Sequence, residues 1–355
     1  MGGEAMTTVR VGVLGASGYT GADFVRLAAR HPAIELTLLT ANSHAGKAYG
    51  DVFPHLATLD LPRLQTIEEA DWSTVDAIVC GLPHGTTQAI TKRLVADHPA
   101  VKVVDMSADF RLRDPAVYRE WYGIEHGAPE LQPKAVYGLT EHYRDEIRDA
   151  RIVACPGCYP TATLLALLPL ASAGLIDPTD IIVDAKSGVS GAGRGLRENT
   201  LFCEAGEGLS PYSVGQHRHS AELEQEIGLA AAVENLRVNF TPHLVPMSRG
   251  ELCTCHVRLA EGATADSLRE RLAAAYADES FVHVADASTL PRTQMVRGSN
   301  HCVIGVVPDR IPGRAIVLST LDNLVKGSAG QALQNLNLAF GIPEATGLEQ
   351  LPLFP

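Results

Sequence analysis

VRVGVLGASGYTG, residues 9–21, is the stretch that decides the fold. Its first half, residues 9–14, is mostly apolar, which is typical of a buried strand. Three glycines follow the strand, namely Gly15, Gly18 and Gly21. Residues 22–28 then carry apolar side chains at helical spacing. A strand, a glycine turn and a helix in this order predict the nucleotide-binding turn of a doubly wound sheet.

The spacing of these glycines differs from the usual dinucleotide fingerprint, in which the first two glycines are two positions apart. The physical role can be the same, because free N–H groups at a helix N-terminus bind a pyrophosphate. An ordinary strand-to-helix turn is the alternative. The place of the turn at the first strand of an alternating region favours the nucleotide interpretation.

The residues that end the second predicted strand, 34–40, indicate which dinucleotide binds. An NAD site usually carries a carboxylate there, which binds the ribose 2′-hydroxyl. This chain instead has Thr-Ala-Asn-Ser-His at 40–44, with Lys47 nearby. We predict NADP, because no negative charge opposes a 2′-phosphate and the polar and basic groups can bind it.

Predicted strands and helices alternate through the first part of the chain, whereas the second part has a different pattern of secondary structure. Further strands are predicted at 76–81 and 101–105, with a helix at 86–96 between them, which indicates a parallel, doubly wound sheet. Later strands are longer, and several alternate apolar and polar residues, as in a sheet with one solvated face. These strands are predicted at 181–185, 236–240, 252–259 and 315–320, with helices at 266–277 and 324–340. The sequence therefore predicts an α/β chain, with a Rossmann-type domain followed by an α+β domain.

Composition excludes several classes of protein. With 355 residues, the chain is long enough for two domains. A formal net charge of −12 argues against a general nucleic-acid binder. No stretch reaches the roughly 20 apolar residues of a membrane helix, and residues 1–8 lack the pattern of a signal peptide. An odd number of cysteines, seven, fits free thiols, so we expect a cytoplasmic location.

The run Ala-Cys-Pro-Gly-Cys-Tyr-Pro-Thr at 154–161 is the strongest indication of chemistry. An apolar strand leads into the Pro-Gly turn, and a helix follows with proline in its first turn. Cys158 therefore lies at a helix N-terminus, where the dipole favours the thiolate that a covalent catalyst needs. Two alternatives are a buried structural cysteine and a redox dithiol formed with Cys155. A zinc site is a third, with ligands drawn from His217 and His219 or from Cys253 and Cys255.

A nucleophilic cysteine needs a base, and the segment 215–223 offers one. A helix is predicted from Ser220 onward, which places His219 at its N-terminus. Protonation of an imidazole is disfavoured there, and the neutral form can accept a proton. We predict His219 as the acid–base and His217 as a substrate contact. The alternative for each is a hydrogen-bonded surface histidine.

Arginines in or beside turns supply candidate substrate contacts, because a guanidinium binds a carboxylate or phosphate with two parallel donors. The candidates are Arg111, Arg194 and Arg249. Arg194 ends the glycine-rich segment 186–194, which could approach a nicotinamide or form a flexible hairpin. Each arginine could also be part of a surface ion pair.

Together these motifs resemble the N-acetyl-gamma-glutamyl-phosphate reductase family, and they follow the family's order over nearly the whole chain. The matching segments are residues 15–21, 82–85, 107–112, 156–161, 217–219 and 322–327. The resemblance implies a fold like that of the aspartate-semialdehyde and glyceraldehyde-phosphate dehydrogenases. It implies an NADP-binding Rossmann domain at 1–157 and 324–355, and a catalytic and oligomerisation domain at 158–323. A homotetramer or homodimer is expected, with neither a membrane nor a nucleic acid as partner.

The resemblance also assigns roles to residues, with Cys158 as nucleophile and His219 as acid–base. Expected cofactor contacts are Gly15, Ser17, Gly18, Tyr19, Thr20, Asn42, Ser43, Gly188 and Asn323, and no metal is expected. Relatives often carry arginine where this chain has Asn42 and Ser43.

The implied reaction is an NADPH-dependent reduction of N-acetyl-gamma-glutamyl phosphate to the 5-semialdehyde through a Cys158 thioester, as a step of arginine biosynthesis. One alternative is the aminoadipate-type enzyme of lysine biosynthesis, whose substrate is one carbon longer. A thiol-redox or zinc-binding protein is an alternative of a different class.

Overall fold

The computed structural model describes residues 8–354. Most of the segment considered for a signal peptide, residues 1–7, lies outside the described residues. The described chain forms two compact units. The first is built from the chain up to Pro156 together with Ser328–Glu349, and the second from Gly157–Gly327 together with the residues from Gln350 onward. Among the described residues, no helix combines the length and the apolar character that crossing a bilayer requires.

The first unit contains a seven-stranded sheet in which every neighbouring pair is parallel. Its strands are β1 (Val9–Leu14), β2 (Ile34–Thr40), β3 (Leu64–Gln65), β4 (Ala77–Cys80), β5 (Lys102–Asp105), β6 (Ala135–Tyr137) and β7 (Ile152–Ala154). Their order is β3-β2-β1-β4-β5-β7-β6. The direction of winding reverses between β1 and β4, and ligands of such sheets bind beyond the carboxyl ends of the strands at that point.

Helices surround this sheet, and one of them comes from the far end of the chain. They are α1 (Tyr19–Ala28), α2 (Tyr49–Val52), α3 (Thr87–Asp97), α4 (Pro115–Tyr122), α5 (Thr140–Asp149) and α10 (Gly330–Ala339). Helix α10 packs against α1 and α5, so the end of the chain belongs to the same core as its beginning.

The second unit contains a mixed seven-stranded sheet with the order β12-β13-β14-β11-β8-β10-β9. Its strands are β8 (Ile176–Gly188), β9 (Ser210–Pro211), β10 (Asn239–Val245), β11 (Glu251–Leu259), β12 (Val282–Val284), β13 (Cys302–Pro308) and β14 (Arg314–Leu321). Its helices are α6 (Cys158–Ser172), α7 (Phe202–Ala205), α8 (His219–Ala231) and α9 (Ala265–Ala275). Helix α6 contacts β8, β11 and β14 and also packs on α8 and α9. Because it is apolar on all sides, α6 forms the centre of this unit's core.

Several boundaries in this unit differ from the sequence prediction, and the strand expected at 181–185 is β8, which already begins at Ile176. The strand expected at 236–240 is β10, which begins later and continues through Pro242. Proline is tolerated there because only the two-residue β9 pairs on the outer side of β10. The glycine-rich segment also begins later than expected, because residues 186–188 are the end of the long strand β8.

Candidate active site

Cys158 is the first residue of α6, and it is the only residue in the first part of that helix that is not buried. Gly157 caps the helix in an extended conformation, and residues 159–171 are all buried. The Cys158 side chain is partly exposed. A Cβ atom on Gly327 would lie 2.8 Å from the Cys158 Cβ, so the glycine there leaves room for the thiol-bearing residue. The helix therefore offers one reactive group at its positive end.

His219 begins α8, and its ring lies against the backbone that precedes the cysteine. A Cβ atom on Gly157 would be 2.3 Å from His219 Nε2. Glu222, one turn later and fully buried, accepts a hydrogen bond from the Gly157 amide (3.0 Å) through Oε2, while its Oε1 is 4.0 Å from His219 Nε2. One carboxylate thus contacts both the cysteine turn and the imidazole. Sequence reasoning missed Glu222, although its i,i+3 spacing from His219 on a predicted helix was the available signal.

His217 supports His219 from the preceding turn. Its Nδ1 accepts a hydrogen bond from the His219 amide at 3.2 Å. Its ring packs edge-on against Tyr159, Tyr212 and Phe240, with centroids 5.3 to 5.9 Å apart. Burial, aided by the charge of Arg218, lowers the pKa of His217 to about 4, so this imidazole is neutral at physiological pH. Its predicted contact with substrate stays a prediction.

Glu251, which sequence reasoning also missed, brings a second carboxyl to the cysteine. It is the first residue of β11, opposite Ser187 on β8 and Leu321 on β14, and it is fully buried. Burial raises the pKa of Glu251 to about 8, a hydrogen-bonding interaction with the Cys158 thiol lowers it, and the charge of Asp322 raises it. A carboxyl in this state is a proton donor and acceptor near neutral pH.

Three of the predicted ligand residues, Gly188, Arg249 and Asn323, lie close together at the ends of β8 and β14. Asn323 accepts from the Gly250 amide and donates to Ser190 Oγ, both at 2.9 Å. Arg249 Nη1 is 3.4 Å from the buried carboxylate of Asp322. A Cβ atom on Gly188 would meet the Arg249 amide nitrogen at 2.9 Å, so only glycine fits there. Arg194 lies further along, in the exposed stretch 193–199.

In the first unit, the glycine turn has the shape that a pyrophosphate requires. Gly15 has a φ of +72°, and a Cβ there would be 2.6 Å from the Gly81 carbonyl oxygen. The turn is held by Tyr49, whose hydroxyl donates to the Ala16 carbonyl at 2.8 Å. Gly18 caps α1, whose first turn has no acidic residue. Ser17, Tyr19 and Thr20 are all at least partly exposed, so the open helix N-terminus fits an anionic group.

The predicted ribose contacts directly follow β2. Asn42 and Ser43 are exposed in a single helical turn, 42–44. Arg63 Nη1 donates to the Gly46 carbonyl at 3.0 Å, so this guanidinium lies beside the same loop. Sequence reasoning missed Arg63, because β3, which brings it there, is only two residues long.

The side chain of Arg111 binds backbone carbonyl groups of the first unit. Its buried guanidinium donates to the carbonyls of Cys155 (2.7 Å) and Met106 (2.9 Å). Asp109 accepts from the Gly85 and Thr87 amides, which joins the segments 82–85 and 107–112. The predicted contact of Arg111 with substrate stays a prediction.

Cys155 differs from Cys158 in its surroundings. It is fully buried beside the Asn335 amide, and burial raises its pKa to about 12, so it is a poor nucleophile. The thiols of Cys253 and Cys255 are buried too. Among residues 8–354, none of the cysteines or histidines considered as zinc ligands belongs to a group of three or more ligand atoms close enough to hold an ion.

Comparison with known proteins defines the class. Residues 10–150 match the family model described as semialdehyde dehydrogenase, NAD binding domain, and residues 158–323 match semialdehyde dehydrogenase, dimerisation domain. Aspartate semialdehyde dehydrogenase II from Vibrio cholerae has a TM-score of 0.69 at 19% identity, covering 94% of this chain and 98% of that one. The enzyme from Candida albicans, solved with NADP, has a TM-score of 0.68 at 19% identity, covering 95% and 100%. The predicted fold class is confirmed, and the two family models place the chain in the semialdehyde dehydrogenase class.

Closer relatives define the family. N-acetyl-gamma-glutamyl-phosphate reductase of Rhodospirillum rubrum is 56% identical over 98% of this chain and 99% of its own length. A probable chloroplastic N-acetyl-gamma-glutamyl-phosphate reductase of Arabidopsis thaliana is 56% identical over 98% of this chain and 86% of its own length. The chain belongs to the N-acetyl-gamma-glutamyl-phosphate reductase family. The resemblance inferred from the sequence motifs is confirmed.

Proposed function

We propose that this chain reduces N-acetyl-gamma-glutamyl phosphate to N-acetylglutamate 5-semialdehyde and phosphate with NADPH, as a step of arginine biosynthesis. The observation that carries the proposal is the partly exposed thiol of Cys158 at the N-terminus of α6, with the His219 ring against the preceding residue. An acyl phosphate is the electrophile such a thiolate can open by covalent catalysis. The names of the relatives supply the substrate.

In this mechanism the Cys158 sulfur attacks the acyl carbon, a C–S bond forms, and the C–O bond to phosphate breaks. Phosphate leaves with the electron pair, and the product is a thioester. NADPH, held by the glycine turn at residues 15–21, would supply the hydride that reduces the thioester carbonyl. The resulting thiohemiacetal collapses, the C–S bond breaks, and the aldehyde is released. We assign to His219 the proton at the substrate oxygen, and to Glu222 the orientation of the imidazole.

The reverse reaction tests this proposal with the simplest readout. We expect NADP reduction by N-acetylglutamate semialdehyde to require inorganic phosphate. The six-carbon homologue should react at least about tenfold more slowly in kcat/KM, since one methylene in a fitted pocket changes kcat/KM by roughly 10- to 200-fold. Turnover without phosphate, or faster turnover of the longer substrate, would contradict the proposed reaction or its substrate.

We assign the cofactor to the first unit and the thiol chemistry to the second. Residues that would hold the pyrophosphate are Gly15, Ser17, Gly18, Tyr19 and Thr20. Asn42 and Ser43, with Arg63 beside the same loop, would hold the ribose and its 2′-phosphate. Gly188 and Asn323 stay predicted contacts of the nicotinamide.

A carboxylate at the end of β2 tests the assignment of the 2′-phosphate. We expect Asn42→Asp to raise the KM for NADPH about tenfold while the KM for NADH changes little, because a repulsion of about 1 kcal/mol or more acts only on the phosphate. Asn42→Ala is the matched control, since it removes the amide without adding charge. Equal effects of Asn42→Asp on NADPH and NADH would place the 2′-phosphate elsewhere.

We propose that the chain forms a homodimer through one face of the second sheet, and that a homotetramer would join two such dimers through a second surface. Alternate residues of the central strands β8, β11 and β14 are buried, and those between them are partly or fully exposed. The exposed side includes Ile182, Leu252, Thr254, Ile316 and Leu318. In register, Leu318 lies opposite Thr254 near the middle of this face. The same face carries the ion pair between Lys186 and Asp184 (2.6 Å). A partly exposed sheet face that mixes apolar side chains with a few charges is a typical subunit interface.

A charge on this face should dissociate the assembly. We expect Leu318→Glu to reduce the molar mass measured by light scattering to that of the 37.8 kDa monomer, because an unpaired buried carboxylate costs several kcal/mol. Leu229→Glu, at an exposed leucine of α8, is the control and should leave the mass unchanged. An unchanged mass for Leu318→Glu would exclude this face as the interface.

We also propose a cytoplasmic location. The supporting observation is that all seven cysteines are free thiols, as is usual in a reducing compartment. Fractionation of the native host would test it, and recovery with the membrane fraction would overturn it.

A further inference from the structure

We propose that Glu251 is a further catalytic residue, which exchanges a proton with the Cys158 thiol during the reaction. The substrate named in this inference rests on the proposed function, whereas the pairing of thiol and carboxyl does not. Sequence reasoning assigned the proton chemistry to His219 alone, and the buried carboxyl gives the sulfur a partner of its own.

The placement of Glu251 is the first argument. It begins β11 in the interior of the sheet, between β8 and β14, and none of its surface is exposed. Among the described residues, no donor with ordinary hydrogen-bond geometry reaches either carboxyl oxygen, and the Cys158 thiol is the side chain whose hydrogen bonding lowers the pKa of this carboxyl. Glu222 is equally buried but accepts the Gly157 amide proton, as a structural carboxylate does. A buried carboxyl without fixed donors costs free energy, and such groups are found where function requires them.

The chemistry follows from the contact with sulfur. When the Cys158 sulfur bonds to the acyl carbon, its S–H bond breaks and an O–H bond forms on the Glu251 carboxylate. The C–O bond to phosphate breaks in the same stage, and phosphate leaves with the electron pair and takes up the one proton that the net reaction draws from solvent. When the thiohemiacetal later collapses, the C–S bond breaks and Glu251 returns the proton to sulfur. Glu251 is unchanged after one turnover, and His219 remains free to act at the substrate oxygen.

The proton affinities support such an exchange. The pKa of Glu251, raised by burial to about 8, is close to that of an ordinary thiol, about 8.5. Proton transfer between groups of matched affinity has little thermodynamic cost. Two groups in contact lose their protons in two coupled steps that belong to the pair.

Other titratable groups lie near this pair, and their ionisation must be distinguished from that of Cys158 and Glu251 in any pH profile. They are Tyr159 on α6, Tyr212 after β9, Cys253 on β11, Asp322 after β14, and His217 and His219 at the start of α8. Burial raises the pKa of Tyr159, Tyr212 and Cys253. His217 is already neutral above pH 6, and the pKa of Glu251, at about 8, lies between pH 6 and 10.

The rate at which iodoacetamide alkylates Cys158 reports the ionisation of the Cys158–Glu251 pair, and it can be measured without any substrate. The rate is followed from pH 6 to 10 by peptide mass spectrometry, which separates Cys158 from the exposed Cys203. We expect the wild-type profile to contain one more titration step than that of Glu251→Gln. Glu226→Gln, at another buried glutamate of this unit, is the matched control and should keep the wild-type profile. In the phosphate-dependent assay, kcat of Glu251→Gln should fall by about 10²-fold or more.

The outcomes separate this proposal from the proposed function. If the alkylation profiles of wild type and Glu251→Gln have the same number of steps, Glu251 is a structural residue. If Glu251→Gln does not fold, Glu251→Asp takes its place. A shifted midpoint would then support the pairing and an unchanged profile would overturn it. Loss of phosphate-dependent turnover in the wild type would contradict only the substrate.

Discussion

Replacing Cys158 by serine should lower the phosphate-dependent oxidation of N-acetylglutamate semialdehyde by at least about 10⁴-fold. A serine hydroxyl at the start of α6 has the same backbone and nearly the same volume, but it does not ionise near neutral pH. The remaining groups cannot form the covalent intermediate. The measurement is NADP reduction in phosphate, together with binding of NADP, which should be unchanged.

Cys155→Ser is the matched control, three residues earlier. Its thiol is buried beside Asn335, with a pKa raised to about 12, and a hydroxyl can make the same hydrogen bond. We expect most of the activity to remain, with a loss of stability of about 1 kcal/mol. Equal loss of activity from both substitutions, or stoichiometric zinc in the purified protein, would favour a thiol-redox or zinc-binding protein instead.

Gly157→Ala should lower kcat by about 10²-fold, because a misplacement of about 1 Å in a catalytic group has an effect of that size. The new methyl group would lie 2.3 Å from His219 Nε2, so the imidazole has to move. The backbone does not oppose alanine, since Gly157 has a φ of −65°. The expected decrease in kcat would therefore be caused by displacement of the His219 imidazole. The measurement is kcat in the phosphate-dependent assay.

A double substitution distinguishes this cause from general disruption. In a His219→Gln background the ring is already gone, so Gly157→Ala should cause little additional loss in kcat. Gly195→Ala is the control for the change of residue type, because a Cβ there has open space around it. Additive losses in the double variant would show that Gly157→Ala acts by another route.

The sequence predicted those parts of the fold whose signals are local. The glycine turn after β1, the start of α6 at the cysteine and the start of α8 at His219 each depend on a few consecutive residues. Strand β13 was missed because it is buried almost throughout and shows no alternation of apolar and polar residues. Pro242 concealed only the second half of β10, since proline is unusual inside a strand.

The two carboxyl groups of the site could not be predicted in the same way. Glu222 and Glu251 are charged residues whose burial depends on packing against α6. Glu251 reaches the cysteine only because β11 lies between β8 and β14, which is a pairing of distant parts of the chain. Arg63 depends likewise on the pairing of β2 with the two-residue β3. Sequence patterns report the neighbours along the chain, while these contacts depend on neighbours in space.

The burial of residues 159–171 of α6 also determines which parts of the enzyme's chemistry can change during evolution. Residues in the exposed segment 193–199, or in other loops near the ends of strands, can be replaced without repacking a core. The sulfur, in contrast, is carried by a helix that packs on both the sheet and the other helices of its unit, so a change in its position would require the core to repack. Substrate preference can therefore change during evolution while the nucleophile keeps its position. Related enzymes can then share the reaction and differ in the substrate.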